Sequence, residues 1–180
     1  MERHMIACPY CSHENIEGTD ECEQCQQPIH DTYLTPPTCS VEEGLLNDRV
    51  GVLNPKVPIT VKLSDTVQQV LDVLVNKGIG CVVVVDQGQP VGIFSERDAL
   101  MRLNTEASAS KDRPVADFMT PNPRMLDNEA KVAFATQRMD LGGYRHIPIT
   151  DRDGALQGII SARDILRYLT DKLASEQPAS

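Results

Sequence analysis

The sequence holds no tryptophan, and aromatic residues make up only 4% of its 180 positions, so a core must be built from aliphatic side chains. It has no long hydrophobic run. The longest, Cys81 to Val85, falls far short of the roughly 20 apolar residues that a bilayer-crossing helix needs, and no membrane association is expected. No apolar stretch follows the basic residue near the N-terminus, so no export signal is expected and the location should be cytoplasmic. Basic residues are scarce. Lys and Arg number 17 against 26 Asp and Glu, and the net charge of −9 suits neither nucleic acid nor an anionic lipid surface. Enzyme signatures are missing too: there is no Gly-x-Ser-x-Gly elbow, no His-Glu-x-x-His and no Gly-rich phosphate loop ending in Lys-Ser/Thr. These absences argue against an enzyme.

What is present begins with cysteine. Cys8-Pro9-Tyr10-Cys11 and Cys22-Glu23-Gln24-Cys25 are two Cys-x-x-Cys pairs, while Cys39 and Cys81 stand alone. A Cys-x-x-Cys turn lets two thiolates reach one metal, and two such turns complete a tetrahedron around zinc with Zn–S near about 2.3 Å. Disulfides or a redox pair are the alternatives, and a reducing cytosol favours the metal. Four thiolates close the shell, so the zinc should be structural. Residues 1–34 thus resemble a small zinc ribbon. The first 40 residues carry Arg3 as their only basic residue of the Lys/Arg type against seven acids, which points to protein docking or dimer stabilisation rather than nucleic-acid binding. Residues 35–40, with Thr35-Pro36-Pro37-Thr38, read as a stiff linker.

The remainder contains an internal repeat. Pro58-Ile59-Thr60-Val61 aligns with Pro123-Arg124-Met125-Leu126, Gly78 with Gly143, and Asp86 with Asp151. After one inserted residue, Gly92-Ile93-Phe94-Ser95-Glu96-Arg97-Asp98 aligns with Gly158-Ile159-Ile160-Ser161-Ala162-Arg163-Asp164. In the first copy, Val67, Val70, Leu71, Leu74 and Val75 follow helical spacing, with Ser64 or Asp65 as cap and Gly78 as stop. Cys81 to Val85 reads as a strand buried on both faces, Val91 to Phe94 as a second strand, and Ser95 opens a helix through Leu103. The second copy gives a helix around Lys131 to Leu141, strands at His146 to Thr150 and Leu156 to Ile160, and a helix from Ala162 towards Leu173. Ser40-Val41-Glu42-Glu43 reads as a capping box before a short helix, and Met119-Thr120-Pro121 as a helix stop. One copy of this size is marginal alone, so the two should pack as one pair.

The two Gly-h-h-Ser-x-Arg-Asp segments, the βαββα order and Gly143-Tyr144-Arg145-His146-Ile147-Pro148-Ile149 closely resemble a tandem pair of CBS domains, a Bateman module. The resemblance implies an α/β fold in which two βαββα repeats pack as a pseudo-twofold pair. Its division is a first repeat at 41–106, a connector at 107–113, a second repeat at 114–173 and a flexible tail at 174–180, all behind the zinc ribbon. It also implies a regulatory module for an adenine nucleotide (AMP, ADP or ATP), a homodimer, and an unidentified protein partner. At Cys81-Val82-Val83 the first copy departs from the Arg-His-Pro type of sequence.

Ser95 and Ser161 stand where a strand gives way to a helix, whose free N–H groups and positive partial charge suit phosphate. Asp98 and Asp164 lie on the same face of the first turn, where a carboxylate can accept from two vicinal ribose hydroxyls. The resemblance assigns phosphate to the serines and ribose to the aspartates. Arg97 and Arg163 flank the motifs, and Arg145 and His146 are expected near the second. That second motif is expected to hold phosphate more strongly. A different reading uses the same residues: Ser-x-x-Asp at a helix start is close to a capping box, which would leave an interaction scaffold without ligand.

Overall fold

The computed structural model describes residues 5–8, 13–16, 19, 21–27, 37–103, 105, 107–151 and 153–175. Cys11, the linker residues Thr35 and Pro36, and residues 176–180 of the expected tail lie outside these. In chain order the elements are β1 (Met5–Ala7), β2 (Glu14–Ile16), α1 (Ser40–Asn47), β3 (Thr60–Lys62), α2 (Val67–Lys77), β4 (Cys81–Asp86), β5 (Gln89–Ser95) and α3 (Glu96–Asp98). There follow α4 (Ala107–Ser110), β6 (Thr120–Pro121), β7 (Leu126–Asp127), α5 (Val132–Gly142), β8 (His146–Thr150), β9 (Leu156–Ser161) and α6 (Ala162–Ser175). The helix α6 thus runs two residues into the stretch expected as tail. No helix among the described residues is long and apolar enough to cross a membrane.

Packing divides the chain into two compact units. One comprises Lys56–Met125 and His146–Ile159. Its main sheet has the order β3-β4-β5-β6, with β3 parallel to β4 and β5 antiparallel to both its neighbours. Gln87 and Gly88, both at positive φ, make the tight turn from β4 to β5. Cys81, Val82, Val83 and Val84 are all buried, as expected of a strand covered on both faces. Val67, Val70 and Leu74 of α2 join Val82, Val84 and Phe94 in an aliphatic core, whereas Val75 faces away and is exposed.

The cap of α2 differs from the expectation. Thr66 is the N-cap and forms the reciprocal box with Gln69, because the Asp65 carboxylate instead accepts the Lys62 N–H at 2.8 Å. Gly78 ends the helix at φ 59°. The expected α-helix from Ser95 to Leu103 is α-helical only over Glu96–Asp98 and continues as a π-helix over Ala99–Leu103, which turns Leu103 into the core. Thr120-Pro121, expected as a helix stop, is a short edge strand opposite Ile93 and Gly92. β8 and β9 neighbour each other in a second sheet.

The other unit comprises Met1–Pro55, Leu126–Arg145 and Ile160–Ser180. Here α1 packs on α5 and α6. The sequence predicted Ser40 as cap of α1, but Ser40 is already helical. Cys39 holds the N-cap without a side-chain bond, and Glu42 accepts from the Thr38 N–H at 2.7 Å and the Thr38 hydroxyl at 2.9 Å. The far end of α1 is tied to α6. The Tyr168 hydroxyl donates to Asp48 at 2.8 Å, and Lys172 pairs with the same carboxylate oxygen at 2.8 Å.

Candidate nucleotide motifs and cysteine cluster

At the first motif, Ser95 ends β5 opposite Cys81 and enters α3 in extended conformation. Its N–H donates to Asp98 Oδ2 at 2.9 Å and its hydroxyl to the same oxygen at 2.6 Å, while the Asp98 N–H donates back to Ser95 Oγ at 3.3 Å. The other carboxylate oxygen, Oδ1, accepts the Thr120 hydroxyl at 3.0 Å and pairs with Arg102 Nη2 at 3.4 Å. Arg102 also donates to the carbonyls of Phe118, at 2.8 Å, and Met119, and to Thr120 Oγ1 at 2.9 Å. The Glu96 N–H donates to the Gly80 carbonyl at 3.0 Å. A Cβ at Gly80 would lie 3.0 Å from His146 Cε1 and 3.5 Å from Glu96 Oε2, so the missing side chain lets the imidazole and the acid approach the backbone. Burial, with the Asp98 and Glu96 carboxylates nearby, pushes the Cys81 thiol up to about 12. Arg97 is exposed.

The second motif repeats the geometry. Ser161 donates to Asp164 Oδ2 from its N–H at 2.8 Å and from its hydroxyl at 2.6 Å, and Arg167 pairs with Oδ1 at 3.3 Å. Asp164 is 4% exposed, an unusual burial for an acid. Arg163 and Arg145 are exposed, and the Arg145 carbonyl accepts the Ala162 N–H at 2.9 Å. Arg145 therefore stands beside the second motif, whereas the His146 ring lies against Gly80 near the first. Arg102, Thr120 and Arg167 were not singled out from the sequence. Arg102 and Arg167 sit four and three residues after their aspartates, a helical ion-pair spacing that was available as a signal. Thr120 carried none. An open cavity of about 410 Å³ lined by Val61, Asp65, Gln69, Val70, Asp72 and Val73 contains no motif residue.

The ligand atoms of Cys8, Cys22 and Cys25 lie within 4.8 Å of one another. Cys8 Sγ and Cys25 Sγ are 3.6 Å apart, well beyond an S–S bond of about 2.05 Å and close to the roughly 3.8 Å edge of a thiolate tetrahedron with 2.3 Å Zn–S bonds. The Cys8 N–H donates to His13 O at 2.7 Å and the Cys22 N–H to Gln27 O at 2.8 Å, each closing five residues on. Buried Asn15 knits them together, donating to His13 O at 2.7 Å and accepting the Glu23 N–H at 3.0 Å. Phe134 of α5 packs against the cysteines.

This sequence matches the CBS domain twice, over residues 52–105 and 115–171. It is 33% identical over 112 residues to an uncharacterized 17.7 kDa protein of Acidianus ambivalens, covering 62% of this chain and 66% of that one. Thus the chain spans just under two thirds of that relative's length. The solved structure of CBSX2 in complex with AMP is similar at 27% identity and TM-score 0.59, over 68% of this chain and 96% of that one. A second, a CBS-domain protein of Pyrobaculum aerophilum complexed with AMP, is similar at 25% identity and TM-score 0.60, over 71% and 98% of the two chains.

Proposed function

Since the chain belongs to the CBS-domain family, with two copies of the domain, we propose that it is a regulatory sensor of an adenine nucleotide (AMP, ADP or ATP) acting on a partner protein. The observation that carries the reading is the pair of Ser-x-x-Asp boxes, each placing a hydroxyl and a carboxylate at a strand-to-helix junction. The AMP complexes of two similar proteins support it. In this reading Ser95 and Ser161 take phosphate, Asp98 and Asp164 take ribose, and Arg97, Arg145, His146 and Arg163 flank them. For nucleotide binding to regulate, the ligand must prefer one state of the module. Exposed Leu100 and Leu166, at equivalent positions of the two repeats, support a homodimer.

The amino-terminal segment 1–34 is proposed as a structural zinc ribbon held by Cys8, Cys11, Cys22 and Cys25. Cys25 stands three residues after Cys22, and Cys11 three residues after Cys8, in the sequence. Such a centre implies a reducing compartment. The repeats are proposed to span 41–106 and 114–173, around the family matches at 52–105 and 115–171.

A scaffold without ligand is the second reading, favoured by the serine-to-aspartate bonds at both motifs and by the complete capping box at Ser95. Thermal unfolding with AMP, ADP, ATP and S-adenosylmethionine separates the two. At a hundredfold over the dissociation constant a ligand adds about 2.7 kcal/mol, or roughly 5–10 °C at this size. A shift with one nucleotide that Asp98→Ala/Asp164→Ala abolishes establishes the sensor. No shift with any leaves the scaffold.

A further inference from the structure

Resting on the reading that Asp98 receives ribose, we propose that Thr120 sets the affinity of the first site by competing with the nucleotide for that carboxylate. Asp98 accepts the Ser95 N–H and hydroxyl on Oδ2, and on Oδ1 it accepts the Thr120 hydroxyl and pairs with Arg102. A carboxylate offers about four lone-pair directions, and these four partners fill them. A vicinal diol brings two further O–H donors, so two existing bonds must be released.

The four bonds are not equally replaceable. When the Ser95 hydroxyl turns to phosphate it frees one direction on Oδ2, whereas the Ser95 N–H bond is half of the box that caps α3 and breaking it would leave that N–H unpaired. Arg102 is fixed by the carbonyls of Phe118 and Met119. The Thr120 hydroxyl is the other bond that can be given up without unbuilding an element, since its backbone is held independently by pairing with Ile93. It is also actively directed at the acid. Arg102 Nη2 donates to Thr120 Oγ1 at 2.9 Å, which occupies a lone pair and turns the hydroxyl proton towards Asp98. Thr120 and Arg102 together therefore hold the ribose acceptor in a self-satisfied state, and nucleotide must displace the threonine to bind.

The test is calorimetric titration of AMP into the full chain carrying Asp164→Ala, so that only the first site reports. Adding Thr120→Val removes the donor at constant volume and should tighten AMP about five- to tenfold, the worth of one hydrogen bond. Thr120→Ser should bind like the parent. Without ligand, Thr120→Val should melt slightly lower, so a folding defect acts opposite in sign to the expected gain. Binding that Asp98→Ala abolishes but Thr120→Val leaves unchanged or weakens overturns the competition alone; the threonine then orients the acid. AMP binding that is absent from all variants, or indifferent to Asp98→Ala, overturns the ribose assignment and the competition with it.

Discussion

Cys81 is walled in by the β4–β5 ladder and faces the Asp98 and Glu96 carboxylates, so its thiolate would be both desolvated and repelled. At pH 8 iodoacetamide should modify half-buried Cys39 and spare Cys81 until the chain is unfolded, as peptide mapping by mass spectrometry would show. The pH dependence has a definite sign. The folded chain keeps the Cys81 proton up to about 12, while the unfolded chain releases it near 9.0. Between these values the unfolded state binds fewer protons, so this contribution to stability is complete below pH 9 and declines as pH rises. Urea midpoints measured from pH 8 to pH 10.5 should fall less steeply for Cys81→Ala than for the wild type. Equal slopes would mean that the thiol is not shielded. A residue-level reading of the sequence placed Cys81 in a buried strand but gave no hint of its acidic neighbours, because register decides which side chains face it.

Among the elements, α1 shows how a rule of local propensity is overridden. Glycine inside a helix is normally destabilising by about 0.5–1 kcal/mol relative to alanine. At Gly44 a Cβ would lie 2.2 Å from the Tyr168 hydroxyl and 2.8 Å from Lys172 Cε, so α1 can approach α6 only without a side chain. Gly44→Ala should therefore destabilise by about 1–3 kcal/mol, an overpacking effect, and lower the melting temperature. Tyr168→Phe removes the clashing atom and should recover part of that loss in the double variant; strict additivity would refute the clash. The same junction responds to acid. Lys172, and then the Tyr168 hydroxyl, hold Asp48 below the ordinary carboxylate range against the opposing effect of burial. Its stabilisation is present above the unfolded value near 3.8 and is lost as pH falls through the lower folded value. Asp48→Asn should flatten that part of the acid unfolding curve. Helices and strands of the repeats were legible because apolar spacing reports the face each element buries, as with Val67, Val70 and Leu74. Caps and edges were not. Thr66 won the α2 cap because Asp65 turned back to Lys62, and Thr120-Pro121 became a strand only because Gly92 and Ile93 offered a free ladder.

At the scale of the whole molecule, the repeat alignment made the family visible, since paired Ser-x-x-Asp segments at matching positions constrain the fold far more than either alone. Whether those segments bind or merely cap was not legible, as both uses need the same serine and aspartate. The amino-terminal segment poses a separate physical question. Its described residues bury Cys8, Cys22 and Asn15, whereas the unit centred on β4 and β5 has a valine-rich core that needs no metal. Metal binding to a structural thiolate site contributes about 10–16 kcal/mol, enough to carry a segment with few aliphatic residues. The purified chain should hold one zinc, measured by elemental analysis. On treatment with a strong chelator, amide exchange should rise in Met5–Ala7 and Glu14–Ile16 and then along Val132–Gly142, because Phe134 of α5 packs on the cysteines. Cys81–Asp86 and Gln89–Ser95 should stay protected, since their ladder and side chains are independent of the thiolates. Exchange rising equally in these strands would make the metal part of the global folding equilibrium. Exchange unchanged in α5 would reduce Phe134 to a bystander and leave the ribbon energetically detached from the repeats it precedes.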